Sequence, residues 1–386
     1  MLPWLHRHVR IAGFNASATP VSKPAIALLW VVVVMWCALG PAKALPVFAQ
    51  QYRVPCSMCH SIPPRLNTFG YAFQANHFNM PGNLSGKDSH PTQKSGTYVP
   101  ITTIATSSYS NSITSRQATI NFRSIEFFFA GGLGIGPGRQ GGYFIDLTAG
   151  GTGDAKTGDL DDAYFTMPLL GRHGQLAMTV GQVTPLLYQY DPVNSLTDTL
   201  PFGISEGVDN FAFGGSKPMV RLDYFDNRGK ASPDGNYLSV AVPFRGHLEL
   251  TRDATVGSGS GVFAHAFHRW GYTTVGALGY VHKDSSLVGL IGTHAPCKRL
   301  YLTGIATLGH EPGLSASHLA MEAEYLPNER VSLTGRAELV SGDRSELATV
   351  AAINYYPFPI RFLRLSAESH QRRAERGFDL KVRLQY

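Results

Sequence analysis

The chain has 386 residues, 44% of them hydrophobic and only 16% charged, well below the roughly 25% charge of soluble domains. Its formal charge of +6 leans on Arg7, Arg10, Lys23 and Lys43, with no acid before residue 45. The rest is close to neutral and offers no basic surface for nucleic acid.

Residues 1–44 read as a secretory signal peptide. A basic stretch precedes the apolar run "AIALLWVVVVMWCALG" (Ala25–Gly40), and "AKA" (Ala42–Ala44) fits the small-residue cleavage pattern. The run is shorter than the roughly 20 residues of a spanning helix. No later run is long enough for a second one, so membrane residence has to come from another architecture. Cys56, Cys59 and Cys297 remain after cleavage, and one close pair with a distant single cysteine is no disulfide framework.

The segment 45–95 carries "CSMCH", Cys56 to His60. In a C-x-x-C-H run each cysteine sulfur forms a thioether with one porphyrin vinyl group, and the histidine ligates the iron from the proximal side. One covalent haem c on Cys56, Cys59 and His60 is therefore expected; the competing reading is a plain Cys56–Cys59 disulfide. Two distal iron ligands stand open downstream, Met80 in "NMPG" and His77 as its competitor, beside an open sixth position. About fifty residues are marginal for an independent core. The segment should fold around its cofactor and lean on the remainder of the chain. "GNLSGKDSHPTQKSG" (Gly82–Gly96) reads as a polar linker.

From residue 96 to 386 the pattern has a period of two. In "NYLSVAVPF", Leu238, Val240, Val242 and Phe244 share a face. "HLAMEAEYL" sets Leu319, Met321 and Tyr325 against Glu322 and Glu324, and "VSLTGRAEL" sets Leu333 and Leu339 against Arg336 and Glu338. "FDLKVRLQY" closes the chain with Leu380 and Val382 against Asp379, Lys381 and Arg383. Charges recurring on one face of strand after strand predict a transmembrane antiparallel β-barrel with lipid outside and a wet interior. About sixteen such stretches occur, with residues 185–226 and 250–260 irregular. Val183–Asn210 is too long for a tight turn and is expected as an outer loop or an inward fold. Asp159, Asp161 and Asp162 draw notice as acids that attract cations at a pore or as a solvated loop. His265 and His268 fall on opposite faces of a strand, which rules out a paired metal site there. Cys297 sits at a turn as an idle thiol. The soluble alternative, a secreted β-rich binding protein without haem, buries charge on nearly every strand.

An even strand number puts both chain ends on the periplasmic side. The 45–95 segment then starts at the periplasmic mouth and is small enough to enter the lumen, where Arg336, Glu338, Glu322, Arg364 and Lys381 are expected to contact it. A haem inside an insulating wall points to electron passage rather than solute passage.

With signal, "LPVFAQQYRVPCSMCH", "PRLNTFGYAF" and a barrel-sized remainder in this order, the chain resembles the fused outer-membrane monohaem cytochrome c–porins of iron-oxidising bacteria. Motif-level likeness runs from Phe48 to Met80, and Gln50, Tyr71 and Gln74 depart from basic residues of the family pattern. The resemblance implies an outer-membrane protein that takes electrons from extracellular Fe(II) and passes them to a periplasmic c-type cytochrome or other carrier. The alternative is a diffusion porin whose haem-bearing segment is a sensor or plug.

Overall fold

A computed structural model describes residues 47–81 and 101–385, except 53, 116, 137–138, 150–158, 172–173, 187, 191–194, 198, 206, 209–210, 231, 244–260, 343–344, 358–362 and 373–374. The signal peptide, its cleavage site and the linker Gly82–Gly96 lie outside the described residues.

The N-terminal segment contains helix α1 (Val47–Tyr52), a 3-10 turn at Cys56–Met58, a short ladder of β1 (His60–Ile62) with β2 (Arg65–Leu66), and helix α2 (Thr68–Ala75). The barrel follows with β3 (Ile101–Ser112), β4 (Gln117–Gly136), β5 (Arg139–Ala149), β6 (Asp159–Leu170) and β7 (Leu176–Val183). A long connection then carries α3 (Phe202–Ser205), β8 (Gly207–Val208) and β9 (Phe211–Ala212). The barrel resumes with β10 (Lys217–Phe225), β11 (Gly235–Pro243), β12 (Val262–Trp270), β13 (Thr273–His282), β14 (Ser285–Cys297) and β15 (Leu300–Glu311). It ends with β16 (Leu314–Asn328), β17 (Val331–Ser341), β18 (Glu346–Tyr355), β19 (Leu363–Arg372) and β20 (Glu375–Gln385).

Sixteen of these strands form one closed antiparallel barrel. Closure comes from β20 pairing with β3, from Gly377↔Ser112 to Gln385↔Ile104, and β7 pairs with β10 across the long connection. Closure leaves no open sheet edge among the described barrel strands, as hydrocarbon surroundings demand. The alternation sets the faces: on β11, Leu238 is 50% exposed while neighbouring Ser239 is 0% exposed. Leu319, Met321, Leu333 and Leu339 likewise face outward, while Glu322, Glu324, Arg336 and Glu338 are buried in the interior. Apolar outside and polar inside reverses the pattern of a soluble protein and sets aside the secreted binding-protein reading.

Both ends of the barrel chain lie at one rim, together with the tight β12–β13, β14–β15 and β16–β17 turns. The long β7–β10 connection starts from the opposite rim and folds inward, as one of the two expectations had it. Leu186, Leu196 and Ile204 are fully buried, and Phe211 stacks on Tyr280 of β13 at 4.0 Å.

Candidate functional site: a C-x-x-C-H segment within the lumen

Helix α1 presents Phe48 and Tyr52 to α2 and the turn beyond it. Phe48 stacks on Phe78 at 4.9 Å and meets Phe73 edge-on at 5.0 Å, and Tyr52 donates its hydroxyl to the Phe78 carbonyl at 2.7 Å. This aromatic cluster continues onto the wall through Phe144 of β5. It gives a small segment the apolar body that its length alone does not supply.

The cysteine turn is fixed from both sides. The Met58 amide donates to the Pro55 carbonyl at 2.9 Å, and the Cys59 amide donates to the Cys56 carbonyl at 3.2 Å. Asn67 caps α2 by accepting from the Gly70 amide at 3.0 Å, and its Nδ2 donates back to the Ser57 and Met58 carbonyls at 3.2 and 3.1 Å. One residue thus starts the helix and holds the turn. Cys56 and Cys59 are half-buried thiols that are not joined in a disulfide. Burial first, then the neighbouring Cys56, pushes the Cys59 thiol up to about 12, so it is protonated at neutral pH. His60 Nδ1 lies 3.0 Å from the Pro64 carbonyl; as the donor there it leaves Nε2 as the basic ring nitrogen.

Gly70 is where α2 crosses this turn. A Cβ there overlaps the Cys59 carbonyl oxygen and comes within 2.9 Å of Leu66 Cδ2. Backbone cannot yield as a side-chain tip does, so Gly70→Ala is expected to cost at least about 1–3 kcal/mol in the segment. A lowered melting temperature with the barrel intact, read by heat-modifiable gel mobility, checks this.

Farther along, His77 and Phe78 hold left-handed backbone angles, φ 55° and 60°, which non-glycine residues rarely adopt. Asn79 anchors this bend: its Nδ2 donates to the Gly141 carbonyl at 2.9 Å, and Gly132 and Gly142 supply the close approach. His77 is 2% exposed, and its Nε2 has no hydrogen-bond partner among the described residues. Burial, then Arg228 and Arg221, drives its pKa well below the ordinary value, so the ring is neutral. Met80 is partly buried against the aromatic cluster.

The wall grips the segment near the rim that carries the chain ends. Arg65 pairs with Glu324 of β16 at 2.9 Å and lies 4.7 Å over the Tyr301 ring. Ser61 shares a 2.7 Å hydrogen bond with Tyr301, Tyr356 donates to the Pro63 carbonyl, and the Val47 amide donates to Thr102 Oγ1 at 2.7 Å. Arg269 of β12 sits 4.1 Å over the Tyr71 ring.

These partners are not the ones expected. Arg336 reaches Glu322 at 2.9 Å and Glu338 at 2.6 Å, and donates to the Thr199 carbonyl at 2.7 Å. Glu338 accepts from the Phe202 amide at 2.8 Å, and Arg364 donates to the Leu196 carbonyl at 3.2 Å. Arg336, Glu338, Glu322 and Arg364 therefore hold the inward connection, which fills that part of the lumen, rather than the C-x-x-C-H segment. Lys381 lines a polar cavity of about 350 Å³ with Glu126, Asp161, Arg364 and Arg383. His265 faces inward and pairs with Gln189 at 2.6 Å, whereas His268 faces outward. Cys297 is exposed at the end of β14.

No family model and no curated protein matches the sequence. Among solved structures, the chain is similar to OmpF of Salmonella typhi in complex with daunomycin, with a TM-score of 0.59 and 9% identity, covering 74% of this chain and 97% of that one. The anion-selective porin from Comamonas acidovorans gives a TM-score of 0.56 at 11% identity, over 74% and 98% of the two chains. A mutant porin of Rh. blastica gives 0.56 at 12%, over 74% and 99%. At these identities the likeness is one of fold: a porin-type, 16-stranded barrel.

Proposed function

We propose that this chain is an outer-membrane electron conduit, in which a porin-type barrel encloses a segment carrying one haem c on Cys56 and Cys59, with His60 as proximal ligand. The observation that carries the reading is the seating of residues 47–81 inside the lumen, their C-x-x-C-H turn near the rim of the chain ends. The residues present suit the group: two half-buried thiols outside any disulfide, a histidine whose Nδ1 is engaged by Pro64, and a buried His77 Nε2 with no partner among the described residues. Haem c supplies a one-electron couple when bound. The chain supplies a fixed orientation through Asn67 and Gly70 and an apolar surround through Phe48, Phe73 and Phe78. Extracellular Fe(II) as donor and a periplasmic carrier as acceptor follow from the family resemblance. The exported, outer-membrane setting rests on the predicted signal peptide and on the apolar outer face.

Haem staining of the purified protein on a denaturing gel, followed by stopped-flow mixing of the oxidised protein with Fe(II), tests this. A stained band whose spectrum becomes reduced is expected; an unstained band removes the conduit, and an unchanged spectrum removes iron as donor.

For the distal position, the orphaned nitrogen and strained bend favour His77, while Met80 already has a packing role. His77→Ala is expected to convert a six-coordinate low-spin spectrum to a high-spin one and to raise the reduction potential, with Met80→Ala near wild type. The reverse outcome assigns Met80.

A diffusion porin remains the second reading, favoured by the polar cavity lined by Glu126, Asp161, Arg364, Lys381 and Arg383. Planar-bilayer conductance separates the two: a large open-channel conductance from haem-loaded protein supports the porin.

A further inference from the structure

Asp146 of β5 and Asp162 of β6 are register partners, directly opposite each other, and both face the lumen at 5% and 4% exposure. Directly opposed side chains sit with Cβ atoms about 4.5–5.5 Å apart, and like charges in that relation destabilise the pair. The ladder shifts register just beside them, between Asp146 and Leu147, and Asp161 lines the polar cavity next to Glu126. Four carboxyl groups thus gather on β4 to β6. Arg383, an opposing charge lining the same cavity, is engaged by Glu126 at 3.1 Å. Asp146 Oδ1, moreover, has no hydrogen-bond partner among the described residues. A buried carboxylate oxygen without a partner, facing a second carboxylate, requires a proton or a cation between them.

We infer that Asp146 and Asp162 hold one hard, oxygen-preferring divalent cation in the lumen wall, with Asp161 and Glu126 drawing it in through the adjoining cavity. No three carboxylate, histidine or cysteine side chains converge on one point among the described residues, so the ion keeps part of its water shell, as small divalent cations readily do. The cavity of about 350 Å³ lined by Asp161, the neighbour of Asp162 in the chain, has room for that water. Ser216 of the inward connection donates its hydroxyl to Asp162 Oδ1 at 2.8 Å and helps to orient that carboxylate. The site is independent of the haem: it lies on the wall, not on residues 47–81.

The test uses the full-length protein in detergent and Mn²⁺ as probe. Free Mn²⁺ is followed by electron paramagnetic resonance and stability by thermal melting. Wild type and Asp379→Asn, which removes a lumen charge elsewhere, are expected to take up about one Mn²⁺ per chain and to melt at a higher temperature with Mn²⁺ present. Asp146→Asn with Asp162→Asn is expected to weaken uptake by more than about tenfold and to abolish the melting shift, while melting no lower than metal-free wild type because the repulsion is gone. Absence of uptake by wild type shows that the pair shares a proton and overturns the site. Undiminished uptake by the double variant overturns it too. Should the double variant fail to form a barrel, Asp146→Ser alone is read by the same two measurements.

Discussion

Replacing Arg65 with alanine is expected to destabilise the lumenal segment by about 3–5 kcal/mol and to turn a poorly conducting barrel into a leaky one. The pair with Glu324 is 2.9 Å long, with side chains only 7% and 1% exposed. Burial alone would lower the Arg65 pKa, but the Glu324 carboxylate outweighs it and keeps the guanidinium charged. Removing the arginine leaves a buried carboxylate uncompensated and strips the cation from the Tyr301 ring. The Ser61 and Pro63 contacts beside it are single hydrogen bonds and do not offset that loss. Arg65→Met with Glu324→Leu removes both charges together and should recover most of the stability, since well-packed apolar replacements of buried pairs are often neutral. Bilayer conductance and protease access to residues 47–81 read the effect. An Arg65→Ala protein as closed and protected as wild type shows that the ion pair does not hold the segment.

The second large effect concerns the cysteines. Cys56→Ala with Cys59→Ala should reduce covalent haem to background while leaving a heat-modifiable barrel. Barrel closure depends on β20 pairing with β3, and the inward connection is pinned by Arg336 and Arg364; none of these contacts involves Cys56 or Cys59. The segment itself should loosen, because Phe48, Phe73 and Phe78 make a small core that the cofactor is expected to complete. Covalent haem surviving in the double variant contradicts the attachment assigned to these residues.

The barrel was legible because its signal is local. Leu238, Ser239 and Val240 alternate within three residues, and so do Leu333, Thr334 and Gly335 ahead of Arg336; each pair of neighbours states its face without knowledge of its partner strand. Strand parity then put the N-terminal segment near the rim of the chain ends. What alternation does not carry is partnership across the lumen. Ser61 and Tyr301 are 240 positions apart, and nothing in either neighbourhood names the other. For the same reason alternation alone pairs Arg336 and Glu338 with the wrong guest: their inward direction is readable, but not that the β7–β10 connection reaches them first. Glu324 stood in the sequence with the same alternation as Glu322, yet only the fold separates the one that holds Arg65 from the one that holds Arg336. His77 gave a weak signal, since a lone histidine near a methionine says nothing of burial. Gly132, in "AGGLGIG", and Gly142, in "QGGYF", gave a stronger one, since paired glycines inside strands mark close backbone approach.

Electron transfer across a vesicle wall tests the central claim most directly. Liposomes carrying the full-length, haem-loaded chain and enclosing an oxidised c-type cytochrome are mixed with external Fe(II), and the enclosed cytochrome is followed by its absorbance. Reduction with the wild-type chain, its absence with Cys56→Ala and Cys59→Ala, and retention of a small trapped dye throughout are the predicted results. An enclosed cytochrome that stays oxidised, or that is reduced equally by the double variant, contradicts passage of electrons through the lumenal segment.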